Sequence, residues 1–177
     1  VKMKNAAPYH TDTAGHHDGI CHWLLTVDGV RIRVGHWPVT HAKGTILFFT
    51  GRTEYIEKYG QTALDFGKRG YSCVAIDWRG QGIADRLLEN HAVGHVDSFD
   101  DYQLDVKAMI AYVKSIGLAE PYHLFGHSMG GCIGLRALYE NIPVKSAAFS
   151  APMWGIKISA AMRPIAWGLS SVSKPLC

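Results

Sequence analysis

Four short strand-like runs, separated by stretches of helical period, constrain this chain more than any other feature. Thr45–Thr50 (Thr-Ile-Leu-Phe-Phe-Thr) and Tyr71–Asp77 (Tyr-Ser-Cys-Val-Ala-Ile-Asp) are almost continuously apolar. A strand needs that when helices cover both of its faces. Tyr122–Phe125 and Lys145–Ser150 are the other two. Between the runs, Tyr55–Arg69 places Ile56, Tyr59, Ala63 and Phe66 on one helical face. The stretch opening at Ser98 does the same with Tyr102, Val106, Met109 and Val113, and Met129–Glu140 reads as a third helix. Ser98 with an acid three residues on is an N-cap signature, and Gly117 suits the position just past a helix end. Strands alternating with helices form βαβ units and a mostly parallel sheet.

Ahead of this lies a different pattern. Trp23–Val27 and Val30–His36 flank Asp28-Gly29, which predicts a β-hairpin with a two-residue loop. Residues 1–22 are polar, rich in His and Gly, and read as a loose lead-in. The expected layout is therefore the lead-in, an α/β core over 23–152, and a further region over 153–177. At 177 residues the chain suits one domain. Hydrophobic residues make up 47% and charged residues 19%, which excludes a disordered chain. The net charge of +3 is spread out, with no basic stripe for nucleic acid, though it leaves room for contact at an anionic membrane surface. No apolar run is long enough to span a membrane, and no signal-peptide stretch follows Val1-Lys2-Met3-Lys4-Asn5. Cys21, Cys73, Cys132 and Cys177 fit neither a zinc site nor a redox pair. Reduced thiols in a cytoplasmic protein are the expectation. His10, His16 and His17 with Asp12 and Asp18 imitate a metal cluster, but a flexible tail is a poor cage. Neither metal nor cofactor is expected.

The chemistry sits between the third strand-like run and its helix, in Gly126-His127-Ser128-Met129-Gly130-Gly131. This is G-x-S-x-G where a strand turns sharply into a helix, the setting of a nucleophile elbow. Gly126 and Gly130 allow the tight turn. Ser128 is then exposed at the C-terminal edge of the sheet, where the helix N-terminus favours a developing oxyanion. Such a serine needs two backbone donors, one on the residue after it and one from the loop after an earlier strand. Met129 supplies the first. The loop Thr50-Gly51-Arg52-Thr53-Glu54 offers the Arg52 amide as the second, and the Arg52 side chain is free to pair with Glu54 or Asp77.

Thr50-Gly51-Arg52-Thr53-Glu54-Tyr55-Ile56-Glu57-Lys58-Tyr59, Asp77-Trp78-Arg79-Gly80-Gln81-Gly82, Gly94-His95-Val96-Asp97-Ser98-Phe99 and the elbow occur in one order over roughly residues 23–155. In these motifs the chain resembles the lysophospholipase and monoacylglycerol-lipase branch of the α/β-hydrolases, also described as serine-aminopeptidase-like. The resemblance implies a serine hydrolase of lipid-like carboxylic esters. The Gly-Arg-Thr-Glu stretch is similar to bacterial lysophospholipases rather than mammalian lipases. It also implies that Met153-Trp154-Gly155-Ile156 and the apolar stretch Ile165–Val172 begin a lid over the acyl pocket. An ordinary surface helix fits that stretch equally well.

One part of the pattern is missing. In this fold the triad acid and histidine follow the serine along the chain. After Ser128 there is no His and no Asp, and Glu140, the single acid, ends the elbow helix. Ala151-Pro152-Met153 occupies another usual place for the acid. His127 adjoins Ser128, but neighbouring side chains at such a turn point apart. His36, His41, His91, His95 and His123 show no telling spacing to an acid. Asp77 is expected to anchor the Arg79 loop, and Asp105 to face outward. The chain thus reads as the N-terminal part of an ester hydrolase, inactive by itself. Amide or peptide cleavage on the same elbow is the alternative chemistry. A non-catalytic binding protein that kept the sheet and lost the triad is the alternative of another class.

Overall fold

The computed structural model describes residues 3–13, 19–155, 159, 162–165 and 168. Seven strands form one sheet: β1 (Met3–Ala7), β2 (Ile20–Leu25), β3 (Arg31–Trp37), β4 (Thr45–Phe49), β5 (Ser72–Asp77), β6 (Tyr122–His127) and β7 (Ser146–Ser150), in the spatial order β1-β2-β3-β5-β4-β6-β7. The first three neighbour pairs are antiparallel. From β5 through β4 and β6 to β7 every pair is parallel. The helices are α1 (Gly60–Gly67), α2 (Tyr102–Ser115) and α3 (Met129–Tyr139). The parallel part, β5-β4-β6-β7, is what the alternation predicts, and the whole is the α/β-hydrolase architecture that the resemblance implies.

β4 shows why its sequence is apolar throughout. All five of its residues are buried. Ile46 and Phe48 face the layer built from Ile56, Tyr59 and Ala63, while Leu47 and Phe49 face α2 and α3 through Met109, Val113 and Ile133. The two faces alternate because successive strand side chains point in opposite directions. Truncating a ring such as Phe49, which is fully buried, would cost about 3–5 kcal/mol. Ser98 caps a short 3₁₀ turn leading into α2. Its hydroxyl accepts from the Asp100 amide, and the Asp101 carboxylate returns to the Ser98 amide. Gly117, at φ 68°, lies just past the end of α2.

Several local expectations need correction. The supposedly loose lead-in carries β1, paired with β2 through a register break between Lys4 and Ala6, where Asn5 takes φ 36°. A short, bulged edge strand leaves no alternating pattern to read. The hairpin loop has three residues, Val27-Asp28-Gly29, closed by Thr26 N–H to Val30 C=O at 3.0 Å. Gly29 alone among them has positive φ, at 87°, as a type I turn followed by a left-handed glycine requires. The helix expected over 55–69 divides into a 3₁₀ turn, Ile56–Tyr59, and α1. Asp105 is fully buried instead of facing solvent. The expected lid stretch Ile165–Val172 lies largely outside the described residues.

Candidate active site

β6 ends at His127 and α3 begins at Met129, so Ser128 alone makes the turn, at φ 49° and ψ −118°. A non-glycine residue there carries about 1–3 kcal/mol of strain that its surroundings must hold. Three backbone hydrogen bonds hold it. Ser128 N–H donates to Ser150 C=O at 3.1 Å, and Ser128 C=O accepts from Gly131 N–H at 2.9 Å and Met153 N–H at 3.0 Å. The last strand and the segment after it therefore clamp the turn. The flanking glycines are sterically required. A methyl group on Gly130 would lie 2.0 Å from the Phe49 carbonyl oxygen, and one on Gly126 would lie 3.0 Å from the Gly131 Cα. Ser128 is half-buried, and its hydroxyl has no hydrogen-bond partner among the described residues.

The β4–β6 register brings the loop expected to carry the second donor to the same place. Phe49 pairs with Gly126, so the chain leaving β4 runs beside the turn leaving β6. A methyl group on Gly51 would sit 3.3 Å from His127 Cδ2. Gly51 N–H donates to Glu54 Oε2 at 2.7 Å and Thr53 N–H to Gln81 Oε1 at 2.8 Å. The Arg52 amide between them and the Met129 amide take no acceptor among the described residues. Both proposed oxyanion donors thus lie at one edge of the sheet with their hydrogens uncommitted. The Arg52 side chain pairs with neither Glu54 nor Asp77. Its Nη2 reaches the Gly94 carbonyl at 3.4 Å.

Two buried ionic groups brace the loops behind this edge. Arg33 donates to Glu57 at 2.8 Å through both terminal nitrogens, and to Asp77 at 2.8 Å. Asp77 also accepts from the Ile56 and Ile83 amides, which ties β3, the turn before α1 and the loop after β5 together. Burial pushes the Asp77 carboxyl up, to about 6, against the opposing pull of Arg33. Burial also acts to raise Glu57, but its hydrogen bonds from Arg33 and the His10 amide outweigh this and leave it below the usual range. In the second group, Arg79 bridges Asp105 of α2 and Asp28 of the hairpin loop, at 2.9 and 2.7 Å. Neither arginine announces itself in the sequence, because each meets its partners across 24 to 51 residues of chain. Asp77 anchors the start of the loop as expected, while Arg79 is held by the other pair.

No histidine is bonded to Ser128 among the described residues. His22 and His36 share the Tyr112 hydroxyl at 2.8 and 2.9 Å, His95 meets Asp97, and His123 meets Ser146 at the far end of β6. Glu140, the acid after the elbow, is exposed and bonded to Arg136. Among the described residues no helix is long and apolar enough to cross a membrane.

A family model described as serine aminopeptidase, S33, matches residues 40–176. Lysophospholipase L2 of Escherichia coli is 35% identical over 133 residues, covering 75% of this chain and 39% of that protein. Probable lysophospholipase L2 of Haemophilus influenzae is 30% identical, covering 71% and 40%. Monoacylglycerol lipase of Mycolicibacterium smegmatis is 28% identical, covering 63% and 39%. The chain thus spans about 40% of the length of these curated relatives. Among solved structures, the α/β hydrolase GrgF from Penicillium superposes with a TM-score of 0.72 at 20% identity, covering 89% of this chain and 54% of that one. A soluble variant of monoglyceride lipase from Saccharomyces cerevisiae, bound to a substrate analogue, gives 0.65 at 22% identity, covering 94% and 54%.

Proposed function

The chain belongs to the serine aminopeptidase S33 family of α/β-hydrolases, and from that premise we propose that it carries the nucleophile half of a serine ester hydrolase acting on lysophospholipid or monoacylglycerol. The observation that carries this reading is the strained Ser128 turn, with the Met129 and Arg52 amides uncommitted beside it. In the reaction, Ser128 Oγ attacks the ester carbonyl and its proton passes to a histidine from outside this chain. The two amides hold the tetrahedral oxyanion, the alcohol leaves with the histidine's proton, and water then releases the acyl group from Ser128. Lipid esters are favoured as substrates because the relatives at 35% and 30% identity are named lysophospholipases. The family description keeps a second reading, aminoacyl amide cleavage, in view. We place the protein in the cytoplasm, touching membranes only at their surface. The free thiols of Cys21, Cys73 and Cys132 support a reducing compartment.

Fatty-acid release from lysophosphatidylcholine and from a monoacylglycerol, beside cleavage of an aminoacyl anilide, tests this in the intact gene product. The expected result is ester hydrolysis that Ser128→Ala lowers by about 10⁶-fold in kcat. Ester turnover unaffected by Ser128→Ala, or cleavage of the anilide alone, would overturn the reading.

A further inference from the structure

In the loop Thr50–Glu54 the amides on both sides of Arg52 are held by side chains. Thr50 C=O accepts from the Trp78 indole N–H at 3.0 Å, and the Thr50 hydroxyl donates to Ile76 C=O at 2.8 Å. Gly51 N–H is held by the Glu54 carboxylate and Thr53 N–H by the Gln81 side-chain carbonyl. Arg52 C=O accepts from the Thr53 hydroxyl at 2.6 Å. Between these two held amides, the Arg52 N–H takes no acceptor among the described residues. Thr53 itself sits at φ 60°, a conformation that a β-branched residue adopts only under constraint.

We infer that Gln81 and Glu54 are positioning residues that aim the Arg52 amide at the oxyanion, by holding the amides on either side of it. This rests on the reading of Arg52 as an oxyanion donor. Gln81 is well placed for the task. It is 3% exposed, it sits in the tight turn after β5, and its amide donates to Trp78 C=O at 2.9 Å. Gly94 packs against its far side, where an added methyl group would meet Nε2 at 2.6 Å. The side chain therefore has little room to turn away. Glu54 is braced in the same manner. One of its oxygens accepts from both Gly51 N–H and the Tyr59 hydroxyl, the latter at 2.8 Å. Burial, and then the bond to Glu54, hold the Tyr59 phenol above its ordinary range, so it keeps its proton and remains the donor. The two clamps come from different segments, so the donor's direction is set by tertiary structure and not by the loop alone. An oxyanion donor works through pre-set direction, because reorienting a dipole during the reaction would consume the stabilisation it offers.

The test compares Gln81→Met, which keeps the shape and removes the acceptor, with Gln81→Glu, which restores an acceptor oxygen, both in the intact gene product. Residue-resolved hydrogen exchange reads the clamp without reference to activity. Thr53 N–H should be protected in the parent, lose that protection at least about tenfold in Gln81→Met, and regain it in Gln81→Glu, while Phe48 N–H in β4 reports that the fold is intact. In ester hydrolysis, Gln81→Met should lower kcat by about 10- to 100-fold with KM little changed, the scale expected when a reacting group is misplaced by roughly an ångström. Gln81→Glu should recover most of it. Unchanged Thr53 exchange in a folded Gln81→Met protein refutes the clamp. Lost Thr53 protection with unaltered kcat refutes its role in aiming the donor. If Ser128→Ala leaves hydrolysis unaffected, the proposed function fails, and the exchange result still decides the clamp.

Discussion

Replacing Gly130 by alanine asks whether the elbow's glycine is fixed by packing. The added methyl group would lie 2.0 Å from the Phe49 carbonyl oxygen and 2.6 Å from that of Thr50, where ordinary contact begins at 3.4 Å. The backbones of α3 and β4 must therefore part by well over an ångström. Both obstructing atoms belong to the main chain, at the end of a strand buried along its whole length, so no side-chain rotation relieves the clash. Overpacking costs about 1–3 kcal/mol where neighbours can adjust, and more where they cannot. Gly130→Ala should lose about 3 kcal/mol or more. Gly134→Ala is the internal control. Its methyl group would meet the tip of the Leu124 side chain at 2.9 Å, which can turn aside. The helix also gains about 1 kcal/mol of propensity from the exchange, so the net loss should stay below about 1 kcal/mol. Urea unfolding followed by tryptophan fluorescence measures both. A Gly130→Ala protein within about 0.5 kcal/mol of the parent, or one more stable than Gly134→Ala, would refute the packing argument.

Arg79→Met leaves the fully buried Asp105 without its guanidinium partner and should cost about 3–5 kcal/mol in urea unfolding, whereas adding Asp105→Leu should recover most of the loss. If the double variant is no more stable than the single one, the loss does not come from the stranded carboxylate. Asp28 is held below its ordinary 3.8 by the Arg79 hydrogen bond, so its contribution is present above that value and fades as pH falls through the lower folded one. Asp28→Asn should therefore be less stable than the parent near neutrality and converge on it in acid, and a gap that widens in acid contradicts the sign. Among the described residues β7 is an outer strand of the sheet, with Ala147 and Ala148 exposed, so this 177-residue chain alone should associate at micromolar concentration in size-exclusion chromatography. A monodisperse monomer with a sharp cooperative melt would refute that.

The parts of this fold legible in sequence were those with a local period or a local steric demand. β4 and β5 betray themselves by near-continuous apolarity, since both of their faces are covered, and α2 by its stripe and its Ser98 cap. The Ser128 turn is legible because glycines two residues to either side of it have no room for a Cβ that a strand and helix would otherwise carry. What escaped notice was long-range or aperiodic. Asp105 looks like any polar helix residue until Arg79, 26 residues earlier, folds back onto it. Arg33 gathers Glu57 and Asp77 from two other segments, and no spacing along the chain records that. β1 is short and bulged, so only its partner β2 defines it. Gln81 belongs here as well, because its bond to Thr53 spans 28 residues.

The central claim is that Ser128 is the nucleophile, and covalent labelling tests it most directly. The intact gene product is treated with a fluorophosphonate, which phosphonylates an activated serine, and the adduct is located by peptide mass spectrometry. The account predicts one adduct, on Ser128 in the peptide following β6, and none in Ser128→Ala. An adduct on another serine, or equal labelling of the Ser128→Ala protein, would contradict it.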